Sequence, residues 1–211
     1  MSGFWPRFAG LLGVTGLVVI FLFMSLQTAD RIEFTDTQKQ TSPTITIADP
    51  QRGLATAPVT LVIFSDYQCG ACKELASVLG TLSNRFPNEL RLVFKDMPNT
   101  DRHPEAMKAA IAAQCAGRQG QYWSYHDNLM TTEEVLSEGL YVQIARNLNL
   151  KEGVFLRCLQ NEETRALVER GFDEGIRLGI TATPTVFFGD SRQTGALTEA
   201  EIVRWTSLLN D

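Results

Sequence analysis

The fold is easiest to read from the stretch Val59-Thr-Leu-Val-Ile-Phe-Ser-Asp-Tyr-Gln-Cys-Gly-Ala-Cys72. It begins with a β-rich apolar run, which predicts a buried strand. After Cys72, Leu and Val residues recur at helical spacing as far as Phe86, and Pro87 predicts the end of that helix. Leu90–Lys95 is a second β-rich run. Two strands linked by a helix of this length predict a βαβ unit with parallel strands.

A long helical region follows this unit. Helices are predicted at 106–116, 141–150, 153–159 and 162–178. On the last of them Gly171, Gly175 and Gly179 recur every four residues, although each glycine costs a helix about 1 kcal/mol relative to alanine. We therefore expect another backbone to approach this helix closely.

The chain returns to β structure near its end. Thr185–Phe188 is a strand, and the Gly189-Asp190 turn predicts an antiparallel hairpin with residues 192–197. Thr198 and Glu201 form a capping box that starts a last helix. The order β-α-β, helical region, β-β-α predicts an α/β fold with a mixed sheet, interrupted by an all-helical insertion.

The composition limits the class of protein. The 211 residues are 44% hydrophobic and 20% charged, which fits a globular domain and excludes a disordered, collagenous or polytopic membrane protein. With Lys+Arg 19 against Asp+Glu 24 the net charge is −5, so electrostatics give no support for a nucleic-acid partner. Four cysteines are too few for a disulfide-built scaffold but enough for a redox or metal site.

The start of the chain predicts a membrane anchor. Phe8 to Leu26 is a run of 19 residues without a charge, and a helix of that length spans about 28 Å, close to the roughly 30 Å of a bilayer core. Cleavable signal peptides have shorter apolar stretches of about 7–15 residues, so an uncleaved signal-anchor is favoured over a cleaved signal or a buried core helix. Arg7 before the run and Asp30 after it predict a cytoplasmic N-terminus. The expected location is the inner membrane, single-pass, with the domain in the periplasm or another extracytoplasmic space.

These patterns divide the chain into five parts. They are a cytoplasmic stub with the signal-anchor helix at 1–27, a tether at 28–49, the first part of the α/β domain at 50–100, the helical insertion at 101–178, and the second part of the α/β domain at 179–211. The protein is expected to be a monomer that is attached to the membrane through its N-terminal helix.

The Cys69-Gly70-Ala71-Cys72 motif is the candidate catalytic centre, since it lies where a strand meets a helix start. Unpaired backbone N–H groups and the helix dipole stabilise a thiolate at such a position. Cys69 is therefore the expected nucleophile, and Cys72, one turn further, the resolving thiol. A zinc site would need more ligands, and no second C-x-x-C motif is present. A pair of inert buried thiols is the other alternative.

A second motif, Gly179-Ile-Thr-Ala-Thr-Pro-Thr-Val-Phe-Phe188, stands far along the chain from the cysteines. With Phe64–Cys72 and the helical insertion, it makes residues 50–211 resemble the DsbA-type thiol:disulfide oxidoreductases of the thioredoxin superfamily. The insertion contributes His103-Pro104, Cys115–Gly120 and the Tyr122–Asp127 segment to this resemblance.

This resemblance implies a thioredoxin-like fold in which Pro184 is cis and faces the cysteine pair. The backbone of Thr183 would then pair with an extended substrate chain. It also implies substrates that are thiols or disulfides of exported proteins, and a membrane redox partner that recycles the dithiol. No cofactor and no metal are expected.

The sequence departs from the best-known DsbA enzymes between the two cysteines. Those enzymes have a Pro-His dipeptide there, whereas this chain has Gly70-Ala71. Fewer groups that donate to the thiolate imply a higher pKa for Cys69 and a less oxidising couple. We expect an oxidase that introduces disulfides into exported proteins. The alternatives are a reductase or isomerase running the same steps backwards, a redox-inert chaperone-like binding module, and a metal-handling module.

Four further residues are candidates for supporting roles. Cys115 and Cys158 are predicted to form a structural disulfide, because leftover cysteines usually pair in an oxidising compartment. Two separate buried thiols are the alternative. Asp66 and Lys95 lie at the ends of adjacent strands, where either could take up protons or shift the pKa of a cysteine. Each could equally be an ordinary solvated charge.

Overall fold

The computed structural model describes residues 41–206. The predicted membrane helix at residues 8–26 lies outside this range, as do most of the predicted tether and residues 207–211. Within residues 41–206 no helix is long and apolar enough to cross a bilayer.

The helical insertion separates two groups of strands. The strands are β1 (Gln51–Arg52), β2 (Val59–Ser65), β3 (Leu90–Asp96), β4 (Thr185–Phe188) and β5 (Ser191–Thr194). The helices are α1 (Gly70–Arg85), α2 (Ala106–Gly117), α3 (Tyr122–Thr131), α4 (Glu138–Asn147), α5 (Glu152–Leu159), α6 (Glu162–Arg177) and α7 (Glu199–Thr206).

The strands form one mixed sheet, in which the described residues give the order β1-β3-β2-β4-β5. Strands β2 and β3 pair in parallel from Val59–Leu90 to Ser65–Asp96, which confirms the predicted βαβ unit. Strand β4 runs antiparallel to β2, and β5 runs antiparallel to β4, as the predicted hairpin requires. This is the thioredoxin-like α/β arrangement, a mixed sheet flanked by helices.

The predicted elements differ from the observed ones where tertiary contacts set the boundaries. Helix α3 was not expected as a separate element, and its buried face packs on the sheet and the insertion through Tyr122, Tyr125 and Leu129. Helix α4 begins earlier than predicted, because Ser137 caps it by accepting the N–H of Leu140. The capping box of α7 is present, with Thr198 and Glu201 each accepting the other's backbone N–H.

The buried core of the insertion is built from aromatic and alanine side chains of α2 to α6, and it continues to Tyr67 and Phe94 of the α/β part. A disulfide between Cys115 on α2 and Cys158 on α5 lies inside this core. Both cysteines are buried, and the Cys158 sulfur also lies 3.5 Å from the Thr164 hydroxyl oxygen. The predicted pairing is thus present in the fold.

The glycines of α6 lie against the end of β3. A Cβ on Gly171 would be 2.8 Å from the backbone oxygen of Asp96, and a Cβ on Gly175 would be 2.3 Å from the sulfur of Met97. The expected close approach of another backbone is therefore found at Gly171, whereas the neighbours of Gly175 are side chains. It is not found at Gly179, which follows the helix with a positive φ of 68° and has open space around it.

These contacts predict that a glycine-to-alanine substitution changes the stability of the domain in opposite directions at two helical positions. Gly171→Ala should destabilise the domain by roughly 1–3 kcal/mol, because the backbone of β3 cannot yield as a flexible side chain can. Gly80→Ala on α1 should stabilise it by about 0.5–1 kcal/mol, because a Cβ there meets nothing within 4 Å and alanine is the better helix former. Urea unfolding of both variants beside the parent protein measures the two effects, and equal effects at the two sites would contradict the packing described.

Candidate active site

The two cysteines occupy the junction of β2 and α1. Cys69 is the residue before the helix, with extended backbone angles of −82° and 122°, and its carbonyl oxygen accepts the N–H groups of Cys72 (3.1 Å) and Lys73 (3.2 Å). Both cysteines are free thiols. Cys69 is 9% exposed and Cys72 1% exposed, so the first sulfur is the one that a substrate can reach.

The Thr183-Pro184 segment lies against the first cysteine, although it is more than a hundred residues away in sequence. The peptide bond between the two residues is cis. The Cys69 thiol donates a hydrogen bond to the carbonyl oxygen of Thr183 at 3.5 Å. The structure therefore brings together Cys69, Cys72, Thr183 and Pro184, the four residues on which the sequence argument depended.

The surroundings of Cys69 favour its thiolate. A hydrogen bond from the Cys72 side chain is the largest influence, and together with the Cys72 backbone and the Thr183 side chain it lowers the pKa of Cys69 from 9.0 to about 6. Partial burial and the negative charge of Asp66 act in the opposite direction. A thiol with this pKa is mostly ionised at pH 7, and the thiolate is the nucleophile.

Cys72 has the opposite tendency. Burial is the main reason that its pKa is raised, and the adjacent Cys69 raises it further. The side chain of Ser65 and the backbone of Asp66 hydrogen-bond to its sulfur and only partly offset this rise. The two thiols are thus differentiated into an ionised outer sulfur and a protonated inner one, which suits an attacking and a resolving cysteine.

Asp66 organises the loops around the pair. Its buried carboxylate accepts the N–H of Gln68 (2.7 Å), the N–H of Asn99 (2.8 Å) and the Nδ1–H of His103 (2.9 Å). It therefore joins the β2–α1 loop, which carries Cys69, to the β3–α2 loop. The partnership with His103 could not be foreseen, because it depends on how two distant loops meet.

Lys95 was a candidate for exchanging protons with the cysteines or shifting their pKa, but its described contacts lie elsewhere. Its buried ammonium group forms ion pairs with Asp49 (2.8 Å) and Glu174 (2.9 Å) and donates to the carbonyl oxygen of Thr44 (2.7 Å). The described contacts of Lys95 thus involve α6 and residues 44–49, not the cysteines. They also show that the last part of the predicted tether is fastened to the domain.

Asp96 is a titratable residue that the sequence argument overlooked. It is buried at the end of β3, where Oδ2 accepts a hydrogen bond from Gln114 at 2.7 Å and Oδ1 has no partner among the described residues. Burial is the main cause that raises its pKa from 3.8 to about 7, and the charges of Asp49 and Asp66 add to the rise. Nothing in the local sequence distinguishes Asp96 from a solvated strand end, because the groups that cover it come from distant helices.

The raised pKa of Asp96 predicts a pH-dependent stability. Because the folded chain holds this proton more tightly than the unfolded chain, the free energy of unfolding should fall as pH rises from about 4 to 7. Asp96→Asn removes the ionisation and should raise the free energy of unfolding by up to about 4 kcal/mol at pH 8, with little effect at pH 4. Urea unfolding at both pH values tests this, with Asp101→Asn at an exposed position of the next loop as the control. An Asp96→Asn variant no more stable at pH 8 than the parent would contradict it.

No group of three or more His, Cys, Asp or Glu side chains within residues 41–206 is arranged to hold a metal ion.

Comparison with known proteins agrees with this geometry. A family model described as thioredoxin matches residues 45–207. The crystal structure of a thioredoxin-like oxidoreductase from Silicibacter pomeroyi DSS-3 is 25% identical, covers 78% of this chain and 94% of its own, and superposes with a TM-score of 0.71. The thiol-disulfide exchange protein α-DsbA2 from Wolbachia pipientis is similar in fold, with 22% identity, coverage of 77% of this chain and 88% of its own, and a TM-score of 0.70.

A curated relative comes from a different class of protein. The Na(+)/H(+) antiporter NhaA 1 of Salinispora arenicola is 32% identical over 148 residues, which make up 70% of this chain. The chain spans only 22% of the length of that antiporter. The likeness therefore concerns one part of a much longer protein, and its transport activity is not carried over.

Proposed function

The chain belongs to the thioredoxin family. From this premise we propose that it is a DsbA-type thiol:disulfide oxidoreductase, and that it works as an oxidase that introduces disulfides into exported proteins. The main support for this direction is the place of Cys69 at the start of α1 beside Thr183, where its surroundings lower its pKa. Stabilising the thiolate stabilises the reduced protein, and a couple with a stabilised reduced form is a stronger oxidant.

The size of this effect follows from the pKa. Lowering the pKa of Cys69 from 9.0 to about 6 stabilises the reduced form at pH 7 by about 1.4 kcal/mol, which makes the two-electron couple about 30 mV more oxidising. Backbone groups, the second thiol and Thr183 thus provide thiolate stabilisation even though Gly70 and Ala71 offer no donating side chain.

The proposed reaction has two exchange steps. A substrate thiolate attacks Cys69 Sγ in the oxidised protein, the Cys69–Cys72 bond breaks, and Cys72 leaves as a thiolate that takes up a proton. A second substrate thiolate then attacks the substrate sulfur of the mixed disulfide, so that a substrate disulfide forms and Cys69 leaves as its stable thiolate. Two electrons have passed to the dithiol, and a membrane redox partner is proposed to remove them.

A groove beside Thr183 supports the binding of an extended polypeptide. It has a volume of about 390 Å³ and is lined by the β3–α2 loop, Phe172 and Ile176 of α6, and residues 180–183. Ile176 is 54% exposed, although it is a large apolar side chain. We assign this groove to an apolar side chain near the substrate cysteine, while Thr183 contacts the substrate backbone.

The proposed location is outside the cytoplasm, on the membrane. The disulfide between Cys115 and Cys158 supports an oxidising compartment. The apolar run from Phe8 to Leu26 supports a single-pass anchor in the inner membrane, and the domain, as a monomer, would act in the periplasmic space. We also propose that residues 50–100 and 179–211 form the two parts of the α/β domain and that residues 101–178 form the helical insertion.

Oxidative refolding tests the proposed direction. The oxidised protein, added to a reduced unfolded protein that regains enzymatic activity only with its disulfides, should restore that activity in proportion to the amount of Cys69–Cys72 disulfide supplied. Efficient reduction of insulin by dithiothreitol-recycled protein, without oxidative refolding, would instead favour a reductase or isomerase. If a variant carrying Cys69→Ser and Cys72→Ser suppressed aggregation of the same substrate as well as the parent, and the parent oxidised nothing, a redox-inert binding module would replace the proposal.

A further inference from the structure

The inner cysteine poses a problem of proton transfer. In the proposed reaction Cys72 takes up a proton when it leaves Cys69, and it must lose that proton again when the dithiol is reoxidised. Yet Cys72 is 1% exposed, and its sulfur is hydrogen-bonded by the Ser65 side chain and the backbone of Asp66. A hydroxyl and a backbone amide do not accept a thiol proton near neutral pH. A proton route from Cys72 to solvent is therefore required.

A small cavity lies on the inner side of α1, next to Cys72. Cys72 and Ser65 line it together with His126 of α3, and Arg52 and Asp127 line it as well. The space open to a water molecule is about 20 Å³, and one water needs roughly 10–15 Å³ on this measure. Arg52 and Asp127 form an ion pair at 2.5 Å, and their side chains are 26% and 51% exposed, so this pair links the cavity to the surface.

His126 is the polar side chain best fixed within this cavity. Its Nδ1 lies 3.0 Å from the hydroxyl of Tyr67, which lies 3.0 Å from the hydroxyl of Tyr122. The rings of Phe94 and Trp123 pack edge-on against the imidazole. Its described hydrogen bond thus uses Nδ1 and leaves Nε2 for another partner.

The charge state of His126 suits a residue that positions a water molecule by hydrogen bonding, not one that takes up the proton itself. Burial, with a smaller effect of Arg52, lowers the pKa of His126 to about 3, so the ring stays neutral under ordinary conditions. A neutral imidazole can hold a water molecule in place without adding a charge beside Cys72. Among the residues lining the cavity the charged groups are Arg52 and Asp127, and these compensate each other.

We propose that this cavity binds one ordered water molecule, positioned by His126, which relays the proton between Cys72 and the solvent. The inference rests on the proposed function. During reoxidation the Cys72 proton passes to the water while the water passes one of its own protons to bulk solvent past the Arg52–Asp127 pair, so that no charge is left on the water. The Cys72 thiolate then attacks Cys69 Sγ in the mixed disulfide, the Cys69–Cys72 bond forms, and the other sulfur leaves as a thiolate. In the oxidase direction the proton returns by the same path. His126 is a positioning residue in this scheme.

A two-phase reaction separates the two cysteines experimentally. The reduced protein is mixed with an aromatic disulfide that releases a coloured thiol. The first release reports attack by Cys69, and the second reports resolution by Cys72. Ala76→Leu fills the cavity from α1, since Ala76 lines it. The second phase should slow at least tenfold in this variant, while the first phase changes less than twofold.

Two variants of His126 test its positioning role, and one control variant tests whether a new leucine on α1 acts outside the cavity. His126→Phe should slow the second phase at least tenfold, and His126→Gln, which keeps a polar atom near the position of Nε2, should recover most of that loss. Ser77→Leu places the same new side chain at the next, exposed position of α1 and should leave both phases unchanged. An unchanged second phase in folded Ala76→Leu and His126→Phe would overturn the proposal.

A crystal structure of the reduced parent protein tests the water without any substitution. We expect an ordered water within hydrogen-bond distance of His126 Nε2 and close to Cys72 Sγ, and its absence at high resolution would overturn the proposal even if a variant failed to fold. The proposed function fails in a different way. If the parent protein released both equivalents of coloured thiol but did not oxidise a reduced unfolded protein, the oxidase would be refuted while the proton relay could still be tested.

Discussion

Replacing Cys69 by serine is expected to abolish disulfide exchange. The activity depends on a thiolate at the start of α1, and a serine hydroxyl is not ionised near neutral pH, so the rate of oxidative refolding should fall by about 1000-fold or more. Cys72→Ser should have a different outcome. Cys69 remains a nucleophile in that variant, but the resolving sulfur is missing, so a mixed disulfide between Cys69 and the substrate should accumulate.

Mass spectrometry under non-reducing conditions distinguishes these two outcomes. The Cys72→Ser variant should be recovered with a covalently bound substrate or small thiol at Cys69, whereas the Cys69→Ser variant should carry little or none. The burial of Cys72 beneath Cys69 is the reason for this asymmetry. Equal labelling of the two variants would mean that both sulfurs are equally reachable, which would contradict the assignment of roles.

Removing the disulfide of the insertion is expected to cause the largest loss of stability. Cys115 and Cys158 are 43 residues apart, and closing a loop of that size stabilises a protein by about 4 kcal/mol in the chain-entropy model. The double variant with Cys115→Ala and Cys158→Ala should therefore lose about 3–4 kcal/mol in urea unfolding. Its effect should centre on α2 and α5, which the bond joins within the core of the insertion.

The matched control for this variant is a double substitution in the other cysteine pair. Cys69 and Cys72 are not bonded in the reduced protein, so replacing both by serine removes no cross-link. The free energy of unfolding of this variant in urea should therefore differ much less from that of the reduced parent. If the Cys115–Cys158 variant lost under about 1 kcal/mol, the disulfide would contribute little to the stability of the insertion, and its entropic contribution would be overestimated.

The parts of the fold that were predictable from sequence have strong local signals. Strand β2, helix α1 and strand β3 follow from apolar runs and helical spacing, and their parallel pairing follows from the connection between them. The cysteine pair and the Thr183-Pro184 segment could be assigned to one site only through the family resemblance, since spacing alone does not bring residues so far apart in sequence together.

The features that escaped prediction depend on tertiary contacts. Lys95 and Asp96 end a strand and could have been solvated charges, but α6 and residues 44–49 cover Lys95, and α2 and α6 cover Asp96. Strand β1 is only two residues long and is held in place by its pairing with β3. His126 has no motif of its own that indicates a role, because its importance comes from the cavity it shares with Cys72.

The redox behaviour of the Cys69–Cys72 couple decides the direction of the proposed reaction. Its reduction potential can be measured on residues 28–211 by equilibration with glutathione buffers and quantification of the two thiols. The proposed oxidase requires a reversible couple with a potential less negative than about −200 mV, in the direction of the strong oxidants near about −120 mV. A potential near about −270 mV, the value of a thioredoxin-like reductant, would contradict the proposed oxidase.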